Sequence, residues 1–502
     1  MDAIDQLKDD VRQGRIDVDR LIDVIVSQQR QLEAARQHIE ELEKKLGGPG
    51  TPTPAKVDEP FSMRAEEKRQ RDRNKNKLKL SRRGRRGRLT SADKLKLAER
   101  TVLCYPEGVP ENECWFSHAR PVWRLEQGRA VLLAYHIYRG PGNRYGQIPG
   151  VLGRGEFGME IVLEIAYLVY EIGLSFDKVC LMLQFMQGLP LGKTQVDGLL
   201  QRLSKHWEHE FDVLCTLLAN SLVVHTDETS WSINSVWAFL SEKARVVFHG
   251  VHKDADTLKE ILNPETFGGL VISDDAAVYA NFSQSQKCWA HLLRKAIKLT
   301  LQQPANQEYR QFTDRLLEIY RKACRVQRDG RLSAAGRQHK VSALDDEVLE
   351  LCVGMWSLEL PPLEESAENN YRLLVNEVMK LMLDQQLFTF LTAESAPAPN
   401  GQSEPVSGTN NEAERTLRDT ATARKTGRTS KTLHGARRQT IIVSVLESLR
   451  LYLATFTLDS IIGEIDRWCQ AGQSCFTRLL KKMKLPNPIV CVLDKVLPAP
   501  DG

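Results

Sequence analysis

An α/β protein, with a sheet interrupted in sequence by a long helical segment, is what this chain predicts. Three observations carry that expectation. Two aliphatic runs, Leu222-Val223-Val224 and Leu270-Val271-Ile272, read as strands, and each leads into acidic residues: His225-Thr226-Asp227-Glu228-Thr229 and Ser273-Asp274-Asp275. A third acidic stretch, Asn410-Asn411-Glu412-Ala413-Glu414-Arg415, opens a run of helical periodicity. Between the second and third stretches, from about residue 290 to 395, the pattern is almost wholly helical.

The bulk numbers set the frame. A chain of 502 residues is expected to hold more than one domain. Its 42% apolar and 27% charged residues suit a globular protein. No apolar stretch is long enough for a membrane span, and the most apolar run, 441–456, is broken by Glu447 and Arg450. The start, Met1-Asp2-Ala3-Ile4-Asp5, has neither a basic nor an apolar signal region. Ten scattered cysteines fit reduced thiols, so the expected location is cytoplasmic. The net charge of +4 hides an asymmetry. From Arg64 to Arg88 there are 13 Lys or Arg against 3 Asp or Glu, so the rest of the chain is net acidic. A block this basic is a candidate phosphate-contacting arm, with Arg82, Arg83, Arg85, Arg86 and Arg88 in its densest part.

The expected organisation begins with a coiled-coil or oligomerisation helix over 1–46. Val18, Leu21, Ile25, Leu32, Ala35, Ile39, Leu42 and Leu46 keep heptad spacing, with Gln28 as a polar interruption, and a partner helix would cover that stripe. A Gly- and Pro-rich linker follows over 47–63, then the basic DNA-contacting arm over 64–99. Residues 100–155 read as a small mixed module. Its Cys104, Cys114 and His118 offer three zinc-ligand types without a paired Cys-x-x-Cys or an obvious fourth ligand, so no zinc is expected there. Residues 156–215 read as helical. The break at Gly188-Leu189-Pro190-Leu191-Gly192 leaves a helix–turn–helix outline that fits a DNA reader and a plain packing pair equally. The core is expected in two parts, 216–292 and 409–470, separated by an α-helical insertion (293–395) and a loop (396–408). A C-terminal tail, 471–502, closes the chain.

Within the first part, three strands, a helix and two further strands are expected, the fifth strand surrounding residues 287–289. That order matches the start of a ribonuclease-H-like fold, in which two strand-end aspartates and a later helical glutamate form one site. Such a site needs oxygen donors for two divalent ions about 3.5–4 Å apart, and carboxylates supply them. Asp227, Asp274 and Glu414 are the candidates, with Glu228, Asp275 and Glu412 as neighbouring rivals. Glu228 and Glu412 read as surface or capping carboxylates. Asn410 is expected to cap the third helix. Asn411, Glu414 and Arg418 share a face of that helix, where Arg418 could brace the carboxylate or meet a phosphate. The Cys-x-x-His spacing of Cys288 and His291 reads as core packing at a strand-to-helix junction.

The chain resembles transposases of the insertion sequence 66 family. The residues that carry the resemblance are Asp227-Glu228-Thr229, Asp274 with Tyr279, and Cys288-Trp289-Ala290-His291-Leu292 with Arg294. Asn410-Asn411, Glu414-Arg415 and the downstream Arg424-Lys425 complete it. The resemblance implies an enzyme of the DDE type that cuts element ends and joins their 3′ ends to target DNA with two magnesium or manganese ions. It assigns catalysis and metal binding to Asp227, Asp274 and Glu414. DNA contact falls to His291, Arg294, Arg418, Arg424 and Lys425, with Asn411 and Arg415 in support. DNA, a second copy of the chain and accessory proteins of the same element are the implied partners, with no membrane. Two other readings stay open: a DNA-binding protein on a catalytically silent scaffold, and a hydrolytic nuclease of the same fold.

Overall fold

The computed structural model describes residues 89–356, 366–402, 404–488 and 490–497, and residues 26, 30, 33 and 71 as isolated positions. The chain divides into two units, Met1–Arg88 and Leu89–Gly502. The expected coiled-coil helix and linker, and the arm residues Arg82, Arg83, Arg85, Arg86 and Arg88, lie outside the described residues. All elements below belong to the second unit.

That unit begins with a short helix, α1 (Ser91–Lys96), capped by Thr90, and a four-stranded sheet. Its strands are β1 (Arg100–Cys104), β2 (Trp115–Glu126), β3 (Arg129–Gly140) and β4 (Arg144–Tyr145). β2 and β3 form a long antiparallel hairpin turning at Gln127-Gly128, both at positive φ (51° and 77°). Such a two-residue turn matches the natural twist of paired strands. Residues 100–155, expected as a small mixed module, are mostly strand with two short 3-10 turns. The density of aromatic and β-branched residues in Val122-Trp123 and Val131 through Tyr138 favours strands. Cys104 is buried in a small core with Val122, Val131, Leu133 and Tyr135. The Cys114 thiol donates to the Pro110 carbonyl at 3.4 Å, and His118 Nδ1 pairs with Ser117 Oγ at 3.1 Å.

Four helices follow: α2 (Met159–Tyr170), α3 (Phe176–Gln187), α4 (Lys193–His206) and α5 (Glu208–Ala219). α3 starts on the Ser175 hydroxyl, which accepts the Lys178 N–H, and ends at Gly188 in the left-handed conformation (φ 72°). One face of α4 (Val196, Leu199, Leu200, Leu203) enters the main core. The α3–α4 pair is therefore a packing unit, whatever else its exposed face does.

The second sheet has five strands in the order β7-β6-β5-β8-β9. They are β5 (Val223–Ser230), β6 (Ser235–Ser241), β7 (Arg245–Val251), β8 (Leu270–Ser273) and β9 (Ser285–Lys287), with α6 (Ala255–Ile261) between β7 and β8. β5 runs antiparallel to β6 and parallel to β8. It is longer than its aliphatic start implies, so Asp227 lies in mid-strand opposite Ala238 and not at a strand end. The polar half of β5 has no strand pattern of its own; backbone pairing with β6 holds it. β9 ends before Trp289, which begins the next helix.

The insertion comprises α7 (Trp289–Gln302), α8 (Gln307–Arg328), α9 (Ala334–Cys352), α10 (Ala367–Leu383) and α11 (Thr389–Thr392). Its core takes in Val223, Leu270 and Ile272 from one face of the sheet, while Val224, Trp237, Phe239 and Val271 from the other face join the main core. The insertion therefore covers one face of the sheet, as side-chain alternation along each strand allows. The remaining helices are α12 (Asn411–Lys425), α13 (Leu433–Tyr452), α14 (Leu458–Ala471), α15 (Cys475–Lys482) and α16 (Val492–Val496). Residues 471–502 were expected to be a tail, but Phe476, Leu480, Leu493, Val496 and Leu497 are buried in the main core. The two helices are short, so their periodicity is weak in sequence. No helix among the described residues is long and apolar enough to cross a membrane.

α13 guards the edge of the sheet. Thr440, Ser444 and Ser448 are fully buried, and their hydroxyls accept the N–H groups of His249, Val247 and Arg245 at 2.8, 3.0 and 2.9 Å. Four residues of helix rise about 6 Å and two of strand span about 6.7 Å, so the two ladders stay in step. Unpaired edge N–H groups would otherwise be buried without partners. Ser444→Ala leaves one such N–H unsatisfied and is expected to lower stability by ~1–3 kcal/mol. Ser342→Ala, on an exposed helix face, is expected to stay within ~0.5 kcal/mol of wild type. Urea unfolding of both variants checks this, and equal midpoints would contradict the ladder.

Candidate active site

Asp227 and its neighbour Glu228 point to opposite faces of β5, as adjacent strand residues must. Burial pushes the Asp227 carboxyl up to about 7, with further upward contributions from the negative charges of Glu228, Asp274 and Glu414. The three sequence-predicted carboxylates thus share one electrostatic field. Asp274 directly follows β8, and its Oδ1 accepts the Ala276 N–H at 3.1 Å. The buried Lys287 at the end of β9 donates to the Asp274 carbonyl at 3.1 Å, which fixes the turn from behind. Glu414 lies in the first turn of α12, where Arg294 Nη2 donates to both its oxygens at 3.0 and 2.7 Å. His291 Nε2 is 3.6 Å from the same carboxylate.

The position of α12 rests on Asn410. Its expected role as a side-chain cap does not hold: Asn410 makes no cap bond and is fully buried. Its Nδ2 instead donates to the Thr226 carbonyl on β5 at 2.6 Å, next to Asp227. The strand acceptor is within reach and buried, so it outcompetes the helix end. The expected brace is also corrected. Arg294, from α7, holds Glu414, whereas Arg418 is exposed and makes no ion pair with it. An arginine 120 residues away in sequence wins because the first turns of α7 and α12 meet beside the sheet.

Glu228 is not a surface or capping carboxylate. Its side chain is 3% exposed, bound by Lys253 at 2.5 Å and by the Tyr279 hydroxyl. Those two partners hold its side chain on the face away from the insertion. Glu412 is ion-paired with Arg245, and Asp275 is exposed. Asn411, Arg415, Arg418 and Lys425 lie exposed on α12. Arg424 donates to the Ser230 carbonyl at 2.9 Å and so ties the end of α12 to the end of β5. Trp231 is buried edge-on against His249. Sequence reasoning passed over Lys253 and Lys287, since a lone lysine in a strand or loop carries no pattern.

None of the three carboxylates lines the cavity of about 780 Å³ beside Trp231 and Arg415, nor that of about 570 Å³ beside Glu412. All three are partly exposed. Carboxylates near enough to feel one another's charge, and incompletely neutralised, suit hard divalent cations better than soft ones. The fold and this site define a mixed α/β protein with three partly exposed carboxylates beside its five-stranded sheet. The family model described as "Transposase IS66 family" matches residues 154–438, more than half of the chain, and the chain belongs to that family. The match spans all three carboxylates and leaves the first 153 residues outside. Comparison with curated proteins gave no match.

The raised carboxyl has a consequence for stability. A folded-state value above the unfolded one (about 4) means that the folded chain holds the proton more tightly. Folding is therefore penalised as pH rises from about 4 towards 7, and fully penalised above 7. In metal-free buffer, Asp227→Asn is expected to stabilise the protein at pH 8 by up to ~4 kcal/mol, with the gain fading at pH 5. Thermal unfolding at the two pH values measures this, and a gain independent of pH would contradict the assignment.

Proposed function

We propose that the five-stranded sheet and α12 form the catalytic part of a ribonuclease-H-like fold. Asp227, Asp274 and Glu414 are its ligands for two magnesium or manganese ions. The chain would act as a DDE transposase, cutting element ends and joining their 3′-hydroxyls to target DNA. One observation carries this reading: burial and the negative charges of Glu228 and of Asp274 and Glu414, the latter two from distant parts of the sequence, all raise the proton affinity of Asp227. Family membership supports DNA as the substrate.

When bound, the ions supply Lewis acidity for an in-line displacement at phosphorus, at both the attacking and the leaving oxygen. The chain's own residues do the positioning. Lys287 fixes the backbone carrying Asp274, and Asn410 sets the height of α12 along β5. Arg294 and His291 flank Glu414, and the exposed Arg415, Arg418 and Lys425 continue a cationic line along α12 that suits phosphate contact. The tie from Arg424 to Ser230 gives that residue a structural task besides any DNA contact. The basic arm would add sequence-independent affinity, and the heptad seam would pair two copies. Accessory proteins of the same element remain the implied companions.

The test uses a labelled element-end duplex, magnesium and a supercoiled target. Wild type is expected to give joined product. Asp227→Asn, Asp274→Asn and Glu414→Gln are each expected to reduce joining by at least ~10³-fold while DNA binding persists. Joining retained in any one of them overturns that residue's assignment. Cleavage without joining by wild type would mark a hydrolytic nuclease, and binding alone a silent scaffold.

A further inference from the structure

Glu414 belongs to a second constellation. One ligand atom each from Cys288, His291 and Glu414 lies within 4.8 Å of the others, and this is the one such group among the described residues. We propose that these three side chains form a competing site for a soft divalent cation, Zn²⁺ by its chemistry, whose occupation withdraws Glu414 from Asp227 and Asp274. Binding at this site is independent of the proposed function; its inhibitory consequence rests on that reading of Glu414.

The donor set discriminates between ions. A thiolate and an imidazole favour Zn²⁺, whereas Mg²⁺ demands an oxygen shell. Cys288 sits at the start of α7 with 1% exposure, and its Sγ accepts the backbone N–H of Asn410 at 3.1 Å. The backbone groups of Ala290 and His291 also favour the thiolate, although burial pushes the thiol up more strongly. Backbone N–H groups aimed at sulfur are the setting a metal-bound thiolate needs. His291 follows at i+3, on the same helix face. Its Nδ1 is buried with no hydrogen-bond partner, so the ring is under-satisfied as it stands.

The necessary rearrangement is small. Ligand atoms around tetrahedral zinc lie roughly 3.3–3.8 Å apart, about 1 Å closer than the outer limit here. Arg294 has to release one Glu414 oxygen, and its side chain is 53% exposed, so it can turn into water. Three protein ligands leave the fourth position to water on the solvent side. Zinc replaces the thiol proton of Cys288, which passes to the buffer, so binding tightens with rising pH. Turned towards zinc, the Glu414 carboxylate is drawn away from an oxygen-only site beside Asp227.

Full-length protein, prepared metal-free, is titrated with Zn²⁺ against a chromophoric chelator. Cys288→Ser and His291→Ala are each expected to bind the tightest equivalent at least ~10-fold more weakly than wild type, with Asp227→Asn unaffected. X-ray absorption of the one-equivalent wild-type complex is expected to show a single sulfur at about 2.3 Å with nitrogen and oxygen neighbours. That spectrum needs no variant, so a misfolded mutant cannot blunt the test. Equal affinity in wild type and Cys288→Ser, or a sulfur-free shell, overturns the site. For the consequence, the ratio of joining with and without micromolar Zn²⁺ in excess Mg²⁺ is compared. A fall in wild type that is largely absent in Cys288→Ser supports competition, and an equal fall overturns it. No joining by zinc-free wild type would overturn the functional reading, while the binding result stands alone.

Discussion

A buried asparagine holds this molecule's site together. Asn410 joins the start of α12 to β5 through the Thr226 carbonyl and to the start of α7 through the Cys288 sulfur. The two bonds span 184 and 122 positions of sequence. Glu414 follows one turn later, its N–H bonded to the Asn410 carbonyl, and Asp227 follows Thr226 directly. The distance between two acidic residues far apart in sequence is thus set by one side-chain amide and one turn of helix. A buried Asn is costly unless its polar atoms are paired, and here Oδ1 has no partner. The strand bond to Nδ2 offsets part of that cost and specifies the register of α12 on the sheet.

Around that junction the acidic charges are handled unequally. Glu228 is locked by Lys253 and Tyr279, and Glu414 by Arg294. Asp227 has no ion pair among the described residues, and burial with the neighbouring negative charges raises its proton affinity. Buried like charges raise one another's proton affinity, and functional sites commonly store such tension. The rest of the fold tolerates it because both faces of the sheet are packed, one by the main core and one by the helical insertion. An insertion of this size therefore does more than lengthen the chain: it supplies Arg294 and covers the sheet beneath the site.

Much of this was legible in the sequence. Strands β6 and β7 and the helical stretch after residue 289 follow directly from periodicity and turn residues, and the three acids stood out by their order. What sequence missed was set by partners far along the chain. The polar half of β5 is a strand because β6 pairs with it, which moved Asp227 from a strand end to mid-strand. Helix spacing pointed to Arg418 as the brace for Glu414, yet the partner comes from another helix. Cys288 read as core packing at a strand-to-helix junction and is buried there, whereas the approach of Glu414, 123 positions from His291, has no local signal. The buried C-terminal helices and the hydroxyl ladder of α13 escaped notice for the same reason: their meaning lies in what they touch.

The proposed two-ion centre requires Asp227, Asp274 and Glu414 to meet around the same divalent ions. Replacing magnesium by Fe²⁺ and adding ascorbate generates hydroxyl radicals at the metal, and the cut positions in the chain report where the ion sits. The expected result is backbone cleavage clustered near residues 227, 274 and 414 together, suppressed by excess Mg²⁺ and lost in Asp227→Asn. Cleavage confined to the neighbourhood of residues 288–291 and 414, or unaffected by Asp227→Asn, would contradict the account.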